Sequence, residues 1–72
     1  MYCGIDLANK TSAICVVDQQ GKLLLETECC TDEDGFQQAL AEFEGLMILV
    51  EASPLSEWVA KLLEGLGHQV KL

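Results

Sequence analysis

Apolar and polar side chains alternate along the first part of the chain, as they do in strands that bury one face. The pattern predicts three strands, over Tyr2 to Leu7, Ser12 to Val17 and Lys22 to Cys29. In the second strand the run Ile14 to Val17 is apolar throughout, and we expect it to be buried. The turn at Asp18 to Gly21 ends in a glycine, which tolerates a positive φ. Strands joined by such short turns form an antiparallel meander.

The spacing of apolar residues becomes helical after Thr31. Phe36, Leu40 and Phe43 follow one another at intervals of four and three residues, so that they share one side of a helix. Thr31 is the predicted start of this helix, because a threonine there begins an imperfect capping box. Gly45 is the predicted stop, because glycine commonly follows a helix C-terminus.

The rest of the chain predicts a strand, a second helix and a last strand. Leu46 to Val50 is almost continuously apolar, which is typical of a strand covered on both faces. Ser53 and Pro54 are the predicted N-cap and first residue of the second helix. Gly67 ends that helix, and His68 to Leu72 is the predicted fifth strand. The buried stripe of the second helix contains Val59, Leu62, Leu63 and Leu66.

This order of elements, β-β-β-α-β-α-β, predicts an α/β fold in a single domain over residues 1–72. Helices between strands three, four and five imply crossover connections and parallel pairing. The simplest arrangement is a mixed sheet in the order 3-2-1-4-5, with strand four parallel to strand one and helices on its faces.

Charge limits the partners of this segment. Four lysines against twelve acidic residues give a formal charge of −8. Proteins that bind nucleic acid normally carry a basic surface, so these residues do not bind a phosphate backbone unaided. No apolar run approaches the roughly 18 residues of a membrane span, and Met1 does not begin a basic signal-peptide head. We therefore expect a cytoplasmic protein without a membrane partner.

The metal-binding side chains do not predict a zinc site. Cys3, Cys15, Cys29 and Cys30 show no C-x-x-C spacing, and His68 is the only histidine. We interpret the cysteines as small apolar strand residues in a reducing compartment. His68 follows a helix C-terminus, where the partial negative charge favours a cation, so a structural role suffices for it.

Two carboxylates are the candidate chemistry. Asp6 comes late in strand one and Glu51 closes strand four, each after a short apolar run. A carboxylate that closes a buried strand is costly unless it is paired, hydrogen-bonded or bound to a metal. If the two strands are neighbours, these side chains project near each other at the carboxyl ends of the sheet. Mg²⁺ is the natural cation for such a pair.

Four segments resemble one family of transposases. They are G-I-D-L-A-N-K-T-S at Gly4 to Ser12, V-V-D-Q-Q-G-K-L at Val16 to Leu23, I-L-V-E-A-S at Ile48 to Ser53 and L-L-E-G-L-G-H-Q-V at Leu62 to Val70. In order and spacing they resemble the N-terminal part of the DEDD transposases of bacterial insertion sequences (insertion-sequence family one-hundred-ten). The element order likewise resembles the ribonuclease H-like fold in its RuvC-like form.

The resemblance implies catalytic, metal-binding roles for Asp6 and Glu51, as two of four acids that bind Mg²⁺, with Mn²⁺ as a substitute. The other two would lie beyond Leu72, so the fold would be truncated after strand five. The whole protein would cleave and transfer DNA strands with a structured guide RNA. Family members commonly have a glycine and an aromatic residue after the glutamate, whereas this chain has Pro54 and Ser56 there.

Two other classes of protein fit parts of the sequence. An actin-like ATPase or sugar kinase begins with the same meander, but Leu7 to Lys10 lacks the glycine that lets backbone approach phosphate. A non-catalytic module or remnant that self-associates through an exposed sheet edge or apolar face is the other alternative. Because two acids cannot complete a two-metal site, we expect the isolated chain to lack nuclease activity and to bind Mg²⁺ or Mn²⁺ only weakly. We also expect it to form homo-oligomers.

Overall fold

The computed structural model describes all 72 residues and contains five strands and two helices. The elements are β1 (Tyr2–Asp6), β2 (Thr11–Val17), β3 (Leu23–Cys30), α1 (Glu33–Ala39), β4 (Met47–Val50), α2 (Ser56–Gly65) and β5 (Gln69–Lys71). The strands form one sheet in the order β3-β2-β1-β4-β5. The α/β class, the order of elements and the order of strands are all as predicted.

The central strand of the sheet is β1. It pairs with β2 in antiparallel fashion and with β4 in parallel fashion. At its end Ile5 lies opposite Ile14 of β2 and Val50 of β4. At the two edges of the sheet, β3 is antiparallel to β2 and β5 is parallel to β4. The mixed sheet therefore brings together the ends of β1 and β4, where the paired residues Ile5 and Val50 are 45 positions apart in the sequence.

One face of the sheet carries the whole hydrophobic core. Alternate residues of β1, β2 and β4 pack there with residues of both helices, so α1 and α2 lie on the same face. The prediction of helices on its faces is thus wrong for one of the two faces. The core consists of Cys3, Ile5, Ile14, Val16, Phe36, Leu40, Leu46, Ile48, Val50, Val59 and Leu63.

The opposite face, which we call the bare face, has no helix on it. Leu49 is 62% exposed, Tyr2 53% and Met47 37%. The prediction that strand four is covered on both faces is therefore wrong, because exposed and buried residues alternate along β4. The bare face consists of Tyr2, Gly4, Asp6, Thr11, Ala13, Cys15, Val17, Glu26, Glu28, Cys30, Met47, Leu49, Gln69 and Lys71.

The first helix is shorter than its apolar spacing predicted. Asp32, and not Thr31, is its N-cap, and the Asp32 side chain accepts a hydrogen bond from the Gly35 amide at 2.7 Å. Thr31 is engaged elsewhere, since its hydroxyl donates to the Ala8 carbonyl at 2.7 Å. The helix ends at Ala39, well before Gly45.

The second helix begins later than predicted. Ser53 and Pro54 lie in a turn before it, and the helix starts at Ser56. The Ser56 hydroxyl donates to the Ser53 carbonyl at 2.7 Å, and the Leu55 amide donates to the Ser53 hydroxyl at 3.2 Å. Ser53 therefore stabilises the turn and does not cap the helix. Neither helix of the structure combines the length and the apolar character needed to cross a membrane.

Candidate functional site

Asp6 and Glu51 follow the paired ends of two neighbouring parallel strands. Ile5 and Val50 lie opposite each other in the register of β1 and β4. Each carboxylate is the next residue in the sequence, so that Asp6 is the last residue of β1 and Glu51 directly follows β4. Open α/β sheets bind ligands outside the carboxyl ends of their strands. The adjacency of the two strands, on which the sequence argument depended, is present in the structure.

Both carboxylates are exposed to solvent. The expectation that they close buried strands, and so need compensation for lost hydration, is wrong because only one face of the sheet is covered. Water can solvate both groups where they lie. The proximity of the two carboxylates still favours a site, whereas a cost of burial does not.

Two further carboxylates lie on the same face. Asp6 pairs with Ala13 of β2, and Ala13 pairs with Glu28 of β3. Glu26 lies two residues before Glu28 in β3 and therefore on the same face of the sheet. With Asp6 and Glu51, these side chains border an open recess of about 530 Å³ that has no lysine or arginine in its lining. The recess therefore has a negative electrostatic potential.

Glu26 and Glu28 were not predicted as part of the site. Their alternation with Leu25 and Thr27 correctly indicated a solvated face near a sheet edge. The available signal was the order of the first three strands, because antiparallel registers join residues of the same face across a meander. Following that register from Asp6 through Ala13 would have reached β3.

The donor chemistry of the recess suits a hard cation. Carboxylate oxygens are the ligands that Mg²⁺ takes, and Mg²⁺ commonly binds one or two carboxylates while keeping waters or phosphate oxygens. The structure has no group of three or more histidine, cysteine or acidic side chains arranged to hold a metal ion. Asp6 and Glu51 could therefore supply part of a coordination shell.

Cys3, on the face of β1 that the helices cover, is not a candidate nucleophile. Cys3 is buried in the core, and burial, together with the nearby Cys15 thiol, raises the pKa of Cys3 to about 12. A thiol with that pKa is protonated at neutral pH and reacts poorly. Burial also raises the pKa of Cys29, with smaller contributions from Cys30 and Asp32. All four cysteines are free thiols.

His68 has a structural role, but as a neutral side chain. It is 5% exposed, and its Nδ1 accepts a hydrogen bond from the Leu46 amide at 3.0 Å. Burial lowers the pKa of the imidazole. The prediction that the helix C-terminus favours a cation here is wrong, because loss of hydration opposes the charged form and an Nδ1 that accepts cannot carry a proton.

No protein-family model matches this sequence, and no match was found among curated proteins.

Proposed function

We propose that this chain forms the N-terminal part of a RuvC-like, ribonuclease H-like catalytic domain of a DNA transposase. The observation that carries the proposal is the placement of Asp6 and Glu51 directly after paired residues of two parallel strands. The strand order β3-β2-β1-β4-β5 and the four sequence segments that resemble the DEDD transposases support it.

In this proposal Asp6 and Glu51 hold Mg²⁺ at the carboxyl end of the sheet. When bound, Mg²⁺ would stabilise charge on the attacking and leaving oxygens of a phosphodiester. The two side chains provide hard oxygen ligands and negative charge, and their attachment to adjacent strands fixes the spacing of their backbones at about 4.8 Å. The other two acids of the four-acid set would come from the rest of the proposed whole protein. DNA and a guide RNA would be partners of that whole protein.

Manganese binding tests the metal site in the chain itself. We expect Mn²⁺ to broaden the amide resonances around Asp6 and Glu51 in a ¹⁵N-labelled sample before those elsewhere. Asp6→Asn and Glu51→Gln should each weaken Mn²⁺ binding about tenfold, because affinity depends on the number of charged ligands. Glu57→Gln, on the exposed side of α2, is the matched control and should leave binding unchanged.

Two outcomes would contradict the metal site. One is broadening spread evenly over the acidic residues of both helices and the sheet. The other is equal loss of affinity in Glu57→Gln and Glu51→Gln. For the catalytic part of the proposal, any longer polypeptide that contains this domain should lose Mg²⁺-dependent cleavage of DNA in Asp6→Asn, whereas residues 1–72 alone should show none.

A self-associating module is the second candidate function. It is favoured by the apolar residues on the bare face, where Leu49, Tyr2 and Met47 are exposed. Sedimentation equilibrium tests it, because a module of this kind forms a dimer whose amount increases with protein concentration. A chain that stays monomeric while binding Mn²⁺ at Asp6 and Glu51 would favour the catalytic domain.

A further inference from the structure

The bare face contains one continuous depression that follows the central strand. The acidic recess of about 530 Å³ at the end of β1 adjoins an apolar recess of about 350 Å³ that lies toward Tyr2 and Met47. The two recesses share Gly4, Cys15 and Leu49 as lining residues. The floor of the depression is therefore β1, and its sides are the flanking strands β2 and β4.

Gly4, at the centre of this floor, has no role that the chain itself explains. Its φ is not positive, and a Cβ built on it would meet nothing within 4 Å. Glycine weakens a strand relative to residues with side chains. A glycine in the middle of a strand, with open space above it, is typical of a place where a ligand or another backbone approaches closely.

The depression has the dimensions of one α-helix. The five residues of β1 span about 17 Å, which corresponds to about 11 helical residues. The distance from β2 to β4 is about 10 Å, close to the diameter of a helix with its side chains. A helix lying along β1 would contact Tyr2 and Gly4 beneath it and Val17 and Leu49 on either side.

The charges around the depression are asymmetric. Glu26 and Glu28 line the side that faces β3, and Asp6 and Glu51 border one end. On the other side, Lys71 of β5 is the only lysine that lines either recess. A helix with lysine or arginine on the flank over β3 would complement this arrangement.

A second copy of the chain does not offer such a helix. The chain carries a net charge of −8, so two copies repel each other. The first turn of α1 is acidic, with Glu33 and Asp34, and that of α2 has Glu57. The buried stripes of both helices also pack in their own core, and Trp58 is the one large apolar residue that α2 leaves exposed, at 47%.

From these observations we propose that the bare face is the docking surface for a basic amphipathic helix of a partner chain. Its apolar stripe packs along β1, with a small residue over Gly4, and its basic flank lies against Glu26 and Glu28. The acidic end of this surface, at Asp6 and Glu51, is shared with the proposed metal site.

Two synthetic helical peptides test the proposal. Both have the same leucine and alanine stripe, and one flank carries lysines in the first peptide and glutamates in the second. We expect the lysine peptide to bind at least about tenfold more tightly at low salt, with shifts of amide resonances confined to the bare face. The double variant Glu26→Lys with Glu28→Lys should reverse the preference.

Gly4→Val separates docking from folding. Valine favours strands, so the melting temperature of the variant should be unchanged or higher, while its affinity for the lysine peptide should fall at least about tenfold. The matched control is Gly65→Ala on α2, where an added Cβ likewise meets nothing within 4 Å. This control should bind the peptide as the unmodified chain does.

Four results would overturn the proposal. They are equal binding of the two peptides, no binding up to about 1 mM, resonance shifts on the helical face, and unchanged affinity in Gly4→Val. Shifts at Tyr2 and Leu49 that depend on protein concentration alone would assign the bare face to a second copy instead.

Discussion

Both faces of the sheet carry apolar residues along β1, β2 and β4, yet the two faces have opposite environments. In β4, Ile48 is fully buried and its neighbour Leu49 is 62% exposed. The same contrast separates Cys3, in the core, from Tyr2, which is 53% exposed. The side on which the helices lie decides the environment of each residue, and hydrophobicity alone does not.

Topology explains why one face receives both helices. β3, β1 and β4 run in the same direction, because two antiparallel pairings separate β3 from β1 and β4 is parallel to β1. The crossovers from β3 to β4 and from β4 to β5 both move across the sheet in the same direction. Crossovers are right-handed in about 98% of cases, so two that move in the same direction place their helices on the same face.

The largest expected effect compares the neighbours Ile48 and Leu49. Ile48→Ala should lower the free energy of unfolding by about 2 to 5 kcal/mol, since it removes buried methyl groups and leaves a cavity. Leu49→Ala should change it by no more than about 0.5 kcal/mol, since the side chain is already largely in water. Urea denaturation of both variants measures the difference. Similar losses in the two variants would mean that the bare face is covered in solution.

Much of the fold was predictable from short-range patterns. The alternation of apolar and polar residues, with short turns, predicted the antiparallel meander of the first three strands. The helical spacing of apolar residues predicted the two crossover helices. Together these elements favour the strand order 3-2-1-4-5. The double coverage of β4 was predicted wrongly because a run such as Met47 to Val50 is apolar on both sides of the strand. The run cannot show which side a helix occupies. The direction of the crossovers carries that information.

The ends of the helices were not predictable from spacing. Phe36, Leu40 and Phe43 suit a helix, but the Phe43 amide donates to the Leu40 carbonyl in a tight turn that meets the same spacing. Thr31 was a reasonable cap by local rules, and its bond to Ala8 is a contact between distant parts of the chain. Asp6 and Glu51 were identified because they lie at strand ends, whereas Glu26 and Glu28 required the register across the meander.

A pair of hydroxyls, one buried and one half-buried, on the face of the sheet that the helices cover should have the next largest effect. Ser12 is 1% exposed, and its Oγ lies 2.6 Å from Thr31 Oγ1. Because the Thr31 hydroxyl donates to Ala8, the Ser12 hydroxyl donates to Thr31. Thr31→Val should lower the free energy of unfolding by about 1 to 3 kcal/mol, since it leaves a buried donor without an acceptor. Thermal or urea denaturation measures this loss.

The control for this pair is Thr27→Val, in β3, the strand that ends just before Thr31. The Thr27 hydroxyl makes only an exposed bond of 3.3 Å to the next carbonyl, so its loss should change the free energy of unfolding by no more than about 0.5 kcal/mol. Equal effects at Thr27 and Thr31 would show that the hydroxyl pair does not stabilise the covered face.

The smallest expected effect is a pH dependence of stability that arises at His68, which is buried beside Leu46. Burial lowers the pKa of His68 in the folded chain, while the unfolded chain has the ordinary value of about 6.5. As the pH falls below about 6.5, the unfolded state takes up the proton first, so the free energy of unfolding decreases. The decrease stops below the folded-state pKa, where both states are protonated. Above about pH 7 the contribution of the neutral imidazole is fully present.

His68→Asn isolates this contribution, because the asparagine oxygen can accept from the Leu46 amide as Nδ1 does but does not titrate. Urea denaturation of both proteins at several values between about pH 5 and 7.5 gives two slopes of stability against pH. Subtracting one slope from the other removes the contributions of groups that the two proteins share. The unmodified chain should lose more stability toward acid than the variant does. Parallel slopes would mean that His68 takes up its proton equally well in the folded and unfolded states, and that the covered face tolerates a charge beside Leu46.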